Sequence, residues 1–243
     1  MVNKILALLL VLFITNVAMA CDDAQESKKL IQLETSKLLG NAPTFKHGLE
    51  DKAIKINISN AGSEKGHCVA KMILTLPQQD LDEANNYLNE NPAKKILLAA
   101  QGYGIPEKTV SEIPYHYEIL NGAPKPISAE NLELKSLYNN IEYTYQLLAQ
   151  LRINIEGSPA NSIAWSYDET KNEYLSCMKS KTYSEAQCNC RVKKLSDSLS
   201  PRKMELINFI QNQPYSVATG AMNSYLQFSK AINESCSKYS RHV

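Results

Sequence analysis

The chain has no excess of charge of either sign. It carries 26 Lys and Arg against 25 Asp and Glu, and taking away Lys4 with the first twenty residues leaves it formally neutral. Like charges run no longer than pairs such as Lys193-Lys194 or Asp22-Asp23. Nucleic acid and anionic headgroups are held largely through a basic field that releases counterions, so nucleic acid is not an expected partner. Other signatures are missing too. There is no Cys-x-x-Cys for thiol redox work, no Gly-x-Ser-x-Gly elbow, and no second apolar run near the roughly 20 residues that span a bilayer. Gln101-Gly102-Tyr103-Gly104 lacks the further glycine and the Lys-Ser/Thr of a phosphate-cradling loop and is expected to be a turn.

What is present begins at the N-terminus. Lys4 gives a positive start, Ile5 to Val17 a short apolar run, and Ala18-Met19-Ala20 the small-residue pattern that a signal peptidase cuts. A signal peptide over 1–20 and export to the periplasm or the cell exterior are the expectation. A lipid anchor on Cys21 is the alternative, and it fits less well: Ala18 and Met19 are poor lipoprotein-signal residues, and lipidation would leave five of the six cysteines, an odd number.

Hydropathy patterning predicts an α+β, helix-rich fold, with a small antiparallel sheet and helices in residues 21–156 and a disulfide-stapled helical region in 157–243. Residues 24–39 have helical composition. Alternation over 53–58 and again over 68–76, with Asn60-Ala61-Gly62-Ser63 between, predicts a hairpin. Asp80 is expected to cap one helix and Asn91 another that starts with Pro92, where Ile96 to Ala99 form a buried run of either helix or strand. Tyr115 to Leu120, bounded by Pro114 and Asn121-Gly122, gives a third strand. A long helix from Ser128 carries Leu134, Leu137, Tyr138, Ile141, Tyr145, Leu148 and Leu151 as a core stripe with phenolic tips reaching solvent. Residues 156–162 have linker composition. Ser184 with Gln187 forms a capping box, Ser200-Pro201 marks a further helix start, and a last helix is expected from about Ser216.

The six cysteines, Cys21, Cys68, Cys177, Cys188, Cys190 and Cys236, form an even set suited to an oxidising compartment. On a helix starting at Ser184, Cys188 and Cys190 lie about 200° apart and cannot bond to each other. Two pairings of the C-terminal four remain open, Cys177–Cys188 with Cys190–Cys236 or Cys177–Cys190 with Cys188–Cys236. Cys21 and Cys68 are then left for each other. Cys188-x-Cys190 has the wrong spacing for a zinc knuckle and His67 beside Cys68 is an isolated neighbour, so neither a metal nor a cofactor is expected. His116, sharing a strand face with Glu118, is the one candidate general base. The function that follows is an exported, non-catalytic binding or accessory protein whose partner is another protein or a cell-envelope component. An exported hydrolase using His116 is the rival.

Overall fold

The computed structural model describes residues 21, 24–39, 42–155, 161–213 and 222–239. Among these lie nine α-helices and one four-stranded antiparallel sheet, the helix-rich α+β fold that the patterning predicts. The signal segment 1–20 and most of the expected linker lie outside the described residues. The chain forms two compact units that interleave along the sequence. One gathers 1–36, 55–75 and 110–136, the other 37–54, 76–109 and 137–243.

The first unit holds α1 (Ala24–Leu39, up to Ser36) and strands β1 (Lys55–Glu64), β2 (His67–Thr75), β3 (Val110–Leu120) and β4 (Ala123–Pro126), hydrogen-bonded in that order. Alternation along β2 and β3 decides the faces, because successive strand residues point to opposite sides. Cys68, Ala70, Met72 and Leu74 from β2, with Ile113, Tyr115 and Tyr117 from β3, are buried on one face. The opposite face carries His67, Val69 and Lys71 beside Glu112 and His116. Two phenols tie down the buried face. The Tyr115 hydroxyl donates to Glu34 Oε1 at 2.5 Å, and Tyr117 donates to the Cys21 carbonyl at 2.8 Å. Cys21 is bridged to Cys68, the pairing left for them once the other four are joined.

Several sequence expectations shift here. Asn60 to Ser63 do not make the turn; they belong to β1, whose register slips between Ser59 and Gly62 in a bulge. The turn is Lys65-Gly66, both at positive φ (49° and 85°), the backbone of a tight two-residue hairpin. Asn121-Gly122 repeats it with φ of 52° and 73°. Pro114 does not bound β3 but sits inside it, opposite Lys71. It is tolerated because β4 pairs only with Tyr117 to Leu120, leaving that side of β3 without a partner strand at residue 114. β4 itself, Ala-Pro-Lys-Pro, is a short edge strand that its composition conceals.

The second unit contains α2 (Pro43–Glu50), α3 (Gln78–Glu90), α4 (Pro92–Ala100), α6 (Tyr167–Lys179), α7 (Glu185–Ser198), α8 (Pro201–Gln211) and α9 (Asn223–Cys236). It also takes α5 (Leu132–Arg152) from Leu137 onward. The long helix starts at Leu132, not Ser128, because 127–131 form a turn. In its stripe Ile141, Tyr145 and Leu148 are fully buried. Tyr145 packs edge-on against Phe45, with centroids 5.0 Å apart, and its hydroxyl donates to Asp80 Oδ2 at 2.9 Å rather than reaching solvent. Asp80 is thus not the cap of α3, which follows Pro77. It is a buried carboxylate that also accepts from Arg152 at 2.6 Å, while Glu83 accepts from the same guanidinium. Asn91 precedes Pro92 as expected, but its amide donates to the Tyr87 carbonyl instead of capping α4. The run 96–99 is helical and mostly exposed, with only Leu98 buried and Ile96 71% exposed.

Two of the expected caps do form: Ser184 and Gln187 make a reciprocal box, and the Ser200 hydroxyl accepts from Lys203 N–H. A second box, Ser166 with Glu169, starts α6. The bridges are Cys177–Cys188 and Cys190–Cys236, the first of the two open pairings. One closes the α6–α7 hairpin and the other anchors α9 to α7. The expected start of the last helix near Ser216 falls outside the described residues.

Candidate metal centre

His67 lies at the start of β2 and His116 in the middle of β3. Cys68 opposes Tyr117 and Val69 opposes His116, so the two histidines sit diagonally on the same face of the sheet, within reach of each other's long side chains. That face is the one away from the bridge and the buried tyrosines, so the imidazoles are partly covered rather than part of the core. Their side chains are 16% and 21% exposed.

The third group arrives from the turn after β4. Where β4 stops pairing, Ile127 N–H donates to the His116 carbonyl at 2.9 Å. Asn131, itself buried, completes the attachment. Its Oδ1 accepts from His116 N–H at 3.0 Å, and its amide donates to the carbonyls of His116 and Ile127 at 2.9 and 3.0 Å. The turn is clamped to the backbone of His116, and Glu130, one residue earlier, is carried over the two imidazoles. This clamp is also the reason that Ser128 does not start a helix.

The result is a compact triangle of donor atoms. His67 Nε2 lies 3.0 Å from Glu130 Oε2, His116 Nδ1 lies 3.1 Å from the same oxygen, and the two ring nitrogens are 3.3 Å apart. Three ligands on a tetrahedral ion with bonds near 2.0–2.1 Å would be separated by about 3.3 Å, so an ion could sit above this triangle with little movement. With no metal, the carboxylate oxygen can accept an N–H from each ring. With one, the lone pairs of Nε2 on His67 and Nδ1 on His116 must face the ion, which places the protons on the opposite nitrogens. Two imidazoles and a carboxylate are a borderline donor set suited to zinc and its first-row neighbours. Three protein ligands leave at least one coordination position for water or another ligand.

Of these three residues the sequence points only to His116; His67 stands there as an isolated neighbour of Cys68, and nothing around Glu130 marks it. Glu118, the neighbour proposed for His116, is not the residue that meets it. Among the described residues, no hydroxyl or thiol is hydrogen-bonded to His116, and all six cysteines are in bridges. Ligand spacing along the chain carried no signal, because 67, 116 and 130 are brought together only by strand register and the Asn131 clamp. No protein-family model, no curated protein and no solved structure matches this chain.

Proposed function

We propose that this is an exported binding or accessory protein that holds a divalent transition-metal ion, zinc foremost, on His67, His116 and Glu130. The observation that carries the reading is the donor triangle, with edges of 3.0, 3.1 and 3.3 Å, drawn from three separate stretches of chain and clamped by a buried asparagine. Its support for export is the N-terminal Ala-x-Ala pattern together with three disulfides, which fit an oxidising compartment. A protein or cell-envelope component remains the partner proposed for it.

The rival, a hydrolase with His116 as general base, draws less support. Nδ1 of His116 faces Glu130 and His67, and with a metal bound it would no longer be available for a proton. The test is direct. Metal-free protein titrated calorimetrically with zinc should bind one equivalent, and cobalt should give the visible absorption of a low-symmetry, four- or five-coordinate site. Single changes His67→Ala, His116→Ala and Glu130→Ala should each weaken zinc binding by at least tenfold. Zinc binding that survives all three changes, or no binding by the unaltered protein, would overturn the reading.

A further inference from the structure

The helical unit has a groove that metal binding leaves unused. Its volume is about 970 Å³, at the upper end of the roughly 300–1,000 Å³ typical of small-molecule sites. Residues of α2, α6 and α8 and the segment before α6 make its walls.

Trp165 stands in one wall. Its indole N–H donates to the Leu199 carbonyl at 2.7 Å, which pins the half-buried ring by its polar edge in the groove wall. Glu173 stands in the wall on α6, with its side chain only 15% exposed and its nearest cation, Arg191, 3.9 Å away. Burial pushes its carboxyl above the usual range, and Arg191 offsets this only in part. Glu173 accepts no hydrogen bond among the described residues, its only partner there being the Arg191 guanidinium. Asn172, Asn208 and Gln211 add amide side chains, each able both to donate and to accept.

The charges say what does not bind. Lys46 is paired with Glu205 at 2.9 Å and Arg202 with Asp51 at 2.7 Å. Both wall cations therefore already have carboxylate partners, and Glu173 adds a further negative group. Phosphate polymers and acidic glycans would meet repulsion. Three features remain: an aromatic ring, groups that both give and take hydrogen bonds, and a carboxylate. Sugars present apolar C–H faces to aromatic rings and hydroxyls that donate and accept. We infer that this groove binds an uncharged, hydroxyl-rich saccharide chain, stacked on Trp165 with a hydroxyl donating to Glu173.

Trp165 is the only tryptophan in the chain, so its fluorescence reports on the groove. The disulfide-bonded protein is titrated with cellohexaose, maltohexaose and chitohexaose. At least one should produce a saturable shift in emission, with matching heat by calorimetry. Glu173→Ala should weaken that binding by tenfold or more with unchanged far-ultraviolet circular dichroism. Trp165→Ala should abolish the heat, and Trp165→Phe, which keeps a ring, should restore part of it. The inference falls if none of the three sugars gives a saturable response. It also falls if Glu173→Ala and Trp165→Phe both bind like the unaltered protein, or if heparin binds in place of the neutral sugars.

Discussion

The two units pair opposite charges, as Lys71 with Glu112 in the sheet unit shows, but only the sheet unit also gathers donors of one kind. In the helical unit opposite charges pair off: Lys46 with Glu205, Arg202 with Asp51, Arg152 with Asp80 and Glu83. In the sheet unit two imidazoles and a carboxylate converge on one point, and all three can act as electron-pair donors. A paired network is complete without a ligand. A convergent set of donors is completed by a cation or by protons, and this difference is why the smaller unit holds the candidate metal site.

The largest effects concern the disulfides, of which each unit has its own. Replacing Cys190 and Cys236 by alanine should lower unfolding stability by about 4 kcal/mol on the loop-entropy account, and removing Cys21–Cys68 should cost about the same. Loss of the short Cys177–Cys188 loop should cost about 3 kcal/mol. Denaturant melts of the three double variants test this ordering. A negligible loss for Cys21–Cys68 would mean that the sheet unit is held by its packing alone.

Next in size is the paired network itself. Arg152→Met leaves Asp80, with a 12% exposed side chain, facing no cation, and should cost about 3 kcal/mol, the low end for a broken buried pair. Zinc at about one hundred times its dissociation constant should stabilise the protein by about 2.7 kcal/mol. His116→Ala should cut that gain by about half or more, and acid should erode it, because protons compete with the metal for imidazole lone pairs. If Arg152→Met were neutral and zinc without effect, the contrast between paired and convergent charges would have no energetic content.

Smaller changes sharpen the picture of the helical unit. Ser166→Ala should cost about 1 kcal/mol by removing the cap of α6. Glu173→Gln should have the reverse sign. Burial raises the folded-state pKa of Glu173 above its unfolded value, so the folded protein holds this proton more tightly, and stability falls as pH rises through that window. The glutamine variant should therefore melt higher than the unaltered protein at pH 7, and the difference should shrink toward pH 4. Thermal melts at the two pH values check both size and sign.

Much of the frame was legible because it depends on local chemistry. Alternation located β1, β2 and β3, Ser-x-x-Gln started α7, and the 200° separation of Cys188 and Cys190 removed one pairing. The Ser166 capping box is equally local, in Ser166-Tyr167-Asp168-Glu169. Other features were hidden for physical reasons. β4 carries two prolines, which only an edge strand tolerates. Asp80 looks like a cap in sequence, yet it receives the Tyr145 hydroxyl and Arg152 from more than sixty positions away. The metal site was the least visible part, because its ligands come from one strand start, one strand centre and one turn. The residue that holds the turn in place, Asn131, is an unremarkable polar residue until its three backbone bonds are seen.

α7 carries one cysteine of each C-terminal bridge, which decides what a single proteolytic cut does to the molecule. Residues 177–188 and 190–236 form two adjacent covalent rings joined through Asn189. A protease that cuts once inside either ring opens it without releasing a fragment, and the nicked molecule keeps its mass, apart from one added water. Such damage would go unseen on a non-reducing gel and would show only after the bridges were reduced, so the protein could be cleaved in service and still hold together.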